Sequence, residues 1–147
     1  MDSIILLLHV LGATIWTGGH IVLAVGILPT VLREGSPARL LEFESVYEKI
    51  GMPALLIQVI TGIAMAYRMV PDVFQWFDFS NPIAHLIVSK LCLLLLTIVI
   101  ALHARLRLIP ALSASNLKLM AWHVIAVTII SVLFVVVGVS FRTGWFY

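Results

Sequence analysis

Polar residues come in bunches along this chain, and apolar runs of helical length separate the bunches. Four runs stand out, over about residues 3–30, 50–69, 82–108 and 117–140. Each is close to or beyond the ~20 residues that a membrane-crossing helix needs. The first, at ~28 residues, exceeds the hydrocarbon thickness and is expected to tilt or protrude. Pro29 and the group Arg33, Glu34, Gly35 mark its exit. Ser36-Pro37 then reads as a helix cap followed by proline at the first helical position. Beyond it, Leu40, Leu41, Phe43, Tyr47 and Ile50 form an apolar stripe opposite Arg39, Glu42, Glu44, Glu48 and Lys49. This is an amphipathic lead-in at the membrane interface. It can run on into the second helix, because Pro53 costs only a kink if the preceding turn relaxes. Gln58 and Thr61 are the polar interior residues of that helix.

The stretch 70–81 holds Pro71, Asp72, Trp76, Phe77 and Asp78, and a Trp-Phe pair between acids suits a membrane–water boundary. Ser80-Asn81-Pro82 predicts the start of the third helix and Pro110 its end. Ser113, Ser115 and Asn116 are the candidate caps of the fourth. Arg142, Gly144, Trp145, Phe146 and Tyr147 make an aromatic tail at the far boundary. The pattern predicts an all-α protein: one integral membrane domain over 1–147, an up-down-up-down bundle of four transmembrane helices with a short amphipathic lead-in before the second.

Composition supports the bilayer as solvent. The chain is 62% hydrophobic and only 11% charged, against about 25% charged in soluble domains. A net charge of +2 on scattered basic residues argues against a nucleic-acid partner. Cys92 is the only cysteine, so no intramolecular disulfide forms. The N-terminus has Asp2 in place of a basic region, and its apolar run is too long for a signal peptide, so it is expected to stay as the first helix. Arg33, Arg39, Lys49, Arg105, Arg107 and Lys118 follow the first and third helices, whereas Arg68 and Arg142 lie at the other ends. The positive-inside rule then places both termini in the periplasm of a bacterial inner membrane.

The candidate chemistry is histidine chemistry. All five histidines fall within expected spans, where an ionisable group is costly and functional by default. His9 and His20 are eleven residues apart, which is about 20° past three full turns and roughly 16 Å along one helix face. Trp16 shares that side, and Gly12, Gly18 and Gly19 offer small surfaces for a flat ring or another helix. By depth, His9 sorts with His85, and His20 with His103 and His123. Haem b takes one or two imidazole ligands in an apolar site between helices. Two such layers would hold two haems, and one layer would hold one. Copper is the alternative, since imidazole suits it, and Cys92 lies seven residues after His85. The methionines show no clustering of the kind a copper relay uses. Lys90 is too deep to act only as a boundary anchor and is the candidate catalytic residue, able to meet a propionate, a substrate carboxylate or a backbone carbonyl. The packing reading stands beside each of these: a lone intramembrane histidine or Trp16 can simply pack, and His103, beside Arg105 and Arg107, reads as an interface residue. No HExxH, CxxC, CxxCH or phosphate loop is present.

The stretch LHVLGATIWTGGH resembles the first helix of the CopD family of bacterial membrane proteins, through His9, Trp16, Gly18 and Gly19. The wider layout is similar to the HemJ family of haem-binding protoporphyrinogen oxidases: residues 47–54 with Thr61-Gly62 resemble its entry to the second helix, and residues 85–91 resemble its helix with a buried lysine, here Lys90. These resemblances imply two functions. One is a haem b redox protein that moves electrons in the membrane, with porphyrinogen oxidation to quinone as its specific form and a membrane oxidoreductase activity left open. The other is CopD-type copper binding or transport. A third expectation is a structural subunit that works through a partner or as a homo-oligomer.

Overall fold

The computed structural model describes residues 3–146, so Met1, Asp2 and Tyr147 lie outside the described residues, Tyr147 with its place in the aromatic tail. Four helices among these residues are long and apolar enough to cross a membrane: α1 Ser3–Glu34, α2 Ala38–Met69, α3 Pro82–Ala111 and α4 Leu117–Thr143. No strand interrupts the described residues. This is an all-α, multi-pass membrane protein.

Two prolines shape the helices without ending them. Pro29 has no N–H to donate, and its ring crowds the carbonyl four residues back. The chain answers by widening to a π-helical segment, Val22–Ile27, and then resuming the α-helix over Leu28–Glu34. α1 thus runs past the expected end near residue 30 and stops at Gly35, whose φ of 65° suits only glycine and whose N–H donates to the Val31 carbonyl at 3.0 Å. Pro110 also follows a π-helical stretch, residues 104–108, but it sits in the closing 3₁₀ turn 109–111 and marks the end of α3, as expected. Pro53 lies inside α2, so the amphipathic lead-in is the first part of one 32-residue helix.

The expected cap at the third helix is present. Asn81 Oδ1 accepts from the Ile83 N–H at 2.9 Å, with Pro82 at the first helical position. Asn116 works differently. Its side chain staples the preceding turn, accepting from the Ser113 N–H at 2.9 Å and donating to the Ala111 carbonyl at 2.8 Å. The boundary pair in the 70–81 stretch divides. Trp76 turns inward, its Nε1–H donating to the Val70 carbonyl at 2.8 Å and its ring edge-on to Tyr67, while Phe74, Phe77 and Phe79 stay exposed. The reason is that the indole N–H finds a carbonyl on the inner side of the turn, which a phenyl ring cannot use.

Asp78 ties this turn together. Its Oδ1 accepts from the Ser80 hydroxyl at 2.7 Å and the Ser80 N–H at 2.9 Å. Those two donors, the hydroxyl first, hold the carboxyl below its ordinary value. A carboxyl depressed in the folded state stabilises above its unfolded pKa and stops doing so as pH falls through the folded one. The protection of the Ser80 amide, its exchange rate measured against the intrinsic rate at the same pH, is therefore expected to hold above the ordinary carboxylate range and to fall on acidification below it. Protection equal at both ends of that range would contradict this reading.

Packing follows the order α2–α1–α4–α3. Rising numbers on one helix meet falling numbers on its neighbour. His9 meets Thr61 while Trp16 meets Tyr47; Thr17 meets Ser131 while His20 meets Thr128; Lys90 meets Phe141 while His103 meets His123. α2 and α3 share no packed seam, and the Glu48–Arg105 ion pair bridges them at one end. Apolar clusters close both ends of the bundle. One gathers Leu23, Leu28, Val31, Leu40, Leu108 and Leu117, and the other Val70, Trp76 and Ile87. Between them the contacts are small: a Cβ on Gly12 would stand 2.9 Å from the Ala54 carbonyl. The buried hydroxyls of Thr97, Ser131 and Ser140 donate to carbonyls of their own helices. Outward faces carry Val25, Ile60, Leu95 and Val99, as lipid contact requires.

Candidate functional site

The face of α1 chosen by spacing does carry a polar interior, built from two separate clusters. The first is His9. Its Nδ1 stands 2.9 Å from Thr61 Oγ1 on α2, and its ring edge lies over Gly62, where a Cβ would come within 3.2 Å of Cε1. Thr61 gives its own proton to the Ile57 carbonyl at 2.6 Å. The hydroxyl oxygen then accepts from His9, so Nδ1 holds the imidazole proton and Nε2 keeps the lone pair. Lys90 on α3 is within electrostatic reach of this ring.

The second cluster surrounds His20. Its Nδ1 stands 2.8 Å from the Trp16 carbonyl, which can only accept, so Nδ1 again holds the proton and Nε2 the lone pair. Trp16 and Tyr47 flank the imidazole, with ring centroids 4.4 Å and 5.6 Å away, the latter edge-on. The Tyr47 hydroxyl donates to the same Trp16 carbonyl at 2.9 Å. The Tyr47 ring stacks on Phe43 and fills a slot beside Gly19 and Gly51, where a Cβ on Gly19 would run into the ring. Trp16 is buried, and its Nε1–H has no hydrogen-bond partner among the described residues. A buried N–H left unpaired costs about 1–3 kcal/mol. It leaves an open hydrogen-bond donor beside the His20 ring.

The remaining candidates lie elsewhere. Lys90 extends over the Phe141 ring, 5.6 Å from its centroid, with Nζ against Gly138 on α4. Among the described residues it has no ion-pair partner. His85 is exposed, with its ring on Phe79. His103 and His123 face each other across α3 and α4, 2.7 Å from Nδ1 to Nε2. The layer expected to join His20 with His103 and His123 is thus divided, because the ring on α4 meets α3 while His20 turns to α2. Among the described residues no three His, Cys, Asp or Glu side chains gather into one metal site. Cys92 is exposed.

Tyr47 is the participant that sequence reasoning placed on an apolar stripe and in the entry to the second helix, but in no site. Nothing in its own neighbourhood marks it, since its partners stand 27 and 31 residues away. The small residues Gly19 and Gly51 were the available signal, as slots for a ring.

A family model described as Copper resistance protein D, CopD, matches residues 41–141. The chain belongs to the CopD family. The match takes in Tyr47, Thr61, Lys90, His103 and His123 and begins after α1. The family description makes this a copper-resistance-related membrane protein. No curated protein and no solved structure matches the chain.

Proposed function

We propose that this CopD-family protein handles copper inside the bilayer, with His9 and His20 as two separate imidazole stations along α1. The observation that carries the reading is the state of the two rings. In each, Nδ1 is occupied by an oxygen, Thr61 Oγ1 or the Trp16 carbonyl, and Nε2 holds the lone pair. Metal-binding imidazoles are set up in this way, because the outer oxygen fixes the tautomer and raises the basicity of the donor nitrogen. Imidazole suits copper, and the family description points the same way. At roughly 16 Å along the helix, one ion does not bridge the two rings, so each is a station of its own. The unpaired Trp16 Nε1–H offers a hydrogen bond to a water or anion that travels with the ion at the second station.

The same reading includes an up-down-up-down crossing of a bacterial inner membrane with both termini on the periplasmic side, supported by the basic residues Arg33, Arg39, Lys49, Arg105, Arg107 and Lys118. Copper then passes between leaflets along α1. A partner subunit or second copy would cover the open side between α2 and α3.

Lys90 favours a second reading. A lysine with no acid partner among the described residues, reaching into an apolar helix interface within range of His9, fits an acidic guest. Haem b is such a guest: His9 would hold its iron, Lys90 a propionate, and the bound group would supply one-electron chemistry toward quinone or a porphyrin. Lys90 would then orient the group and keep its acid ionised.

One preparation separates the two. The protein is purified in detergent from copper-fed cells and examined by elemental analysis and visible spectroscopy. The copper reading expects retained copper and no Soret band. A Soret band with sharp reduced α and β bands, in protein free of copper, would replace it with the haem reading.

A further inference from the structure

His103 and His123 lie outside both α1 stations, and they are the two histidines in the described chain that meet each other. They come from different helices, and their rings stack at 4.9 Å with planes 21° apart. The contact joins His103 Nδ1 to His123 Nε2 at 2.7 Å. The state of His123 is fixed from behind: its Nδ1 stands 2.9 Å from the Leu119 carbonyl, which only accepts. His123 Nε2 therefore carries a lone pair aimed at His103, and the His103 Nδ1–H donates to it.

We propose that His103 and His123 form a two-imidazole site for a divalent late first-row transition metal, clamping α3 to α4 near the positively charged end of the bundle. Four physical points bear on this. The carbonyl behind His123 is the outer partner that a metal-binding imidazole uses. Two imidazoles without thiolate or thioether select Zn(II), Ni(II) or Cu(II) over Cu(I). The geometry needs little change: metal–nitrogen bonds of ~2.0–2.1 Å in a tetrahedral site hold two nitrogens about 3.3 Å apart. His103 is exposed and free to swing by the difference. A neutral imidazole holds one proton on either nitrogen, so His103 offers Nδ1 to the ion once its proton sits on Nε2, and water completes the coordination. Arg105 and Arg107 follow on the same helix and oppose a cation, but Arg105 is paired with Glu48 of α2. The site stands apart from the copper reading, because neither His9 nor His20 takes part in it.

The test adds Zn(II) alone to the full-length protein in detergent and reads both the binding isotherm and the zinc-induced shift in unfolding temperature. An ion that binds only the folded arrangement raises that temperature. The wild type is expected to show one zinc equivalent lost or weakened by more than about 30-fold in both His103→Ala and His123→Ala, with the thermal shift abolished. His103→Gln and His123→Gln keep a polar side chain for the case where alanine unfolds the protein, and the zinc-induced shift is measured within each variant. An isotherm unchanged by replacing either residue overturns the proposal, as does a wild-type thermal shift that survives both replacements. Neither result touches the copper stoichiometry at α1.

Discussion

His9→Ala is expected to remove one copper equivalent from the purified protein and leave the other, and His20→Ala to do the same for its own station. The independence follows from helix geometry. Roughly three turns separate the rings, about 16 Å along α1, and each ring has its own oxygen behind it, from α2 for His9 and from α1 itself for His20. Removing the imidazole removes the donor nitrogen. Removing the oxygen behind it is milder. Thr61→Val keeps the shape but removes the hydroxyl oxygen behind His9 Nδ1, and it should weaken the first station by about 10–100-fold while leaving the second unchanged. Equilibrium competition with a copper chelator measures both effects. Loss of both equivalents from either single alanine variant would mean that the two rings share one site.

The second large effect concerns stability. Gly19→Ala should cost about 2–3 kcal/mol, because its Cβ would occupy the space of the Tyr47 ring and must push it out of the slot. Tyr47 would then lose its hydrogen bond to the Trp16 carbonyl and its edge contact with His20. Gly18→Ala is the internal comparison. Nothing lies within 4 Å of a Cβ at Gly18, so that change should be neutral or gain up to about 1 kcal/mol from helix propensity. Thermal unfolding of both variants in one detergent decides it, and equal melting temperatures would contradict the packing of Tyr47 against Gly19.

The apolar runs announced the four helices, since lipid leaves few other ways to satisfy a backbone. The Asn81-Pro82 start was legible because capping is local chemistry. The extension of α1 to Glu34 was not, because a proline marks a break or a π-helical adjustment with the same letter, and only the neighbouring packing decides which. The site divides along the same line. Spacing put His9, Trp16 and His20 on one side of a helix, and that depends only on the turn angle. Which groups face them depends on contacts across 27 to 52 residues: Tyr47 to His20 and Thr61 to His9. Depth sorted His103 with His123 and His20, but only the packing shows that the His103 and His123 rings meet each other and leave His20 apart.

The central claim is that copper sits on imidazole at His9 and His20. Copper K-edge X-ray absorption on the loaded protein tests it most directly. With zinc first filling the His103–His123 site, the account predicts a nitrogen shell with the outer-shell scattering of imidazole rings, reduced in His9→Ala and in His20→Ala and absent when both are replaced. A shell of sulfur scatterers without imidazole features, unchanged in those variants, would place the metal on cysteine or methionine and contradict the account.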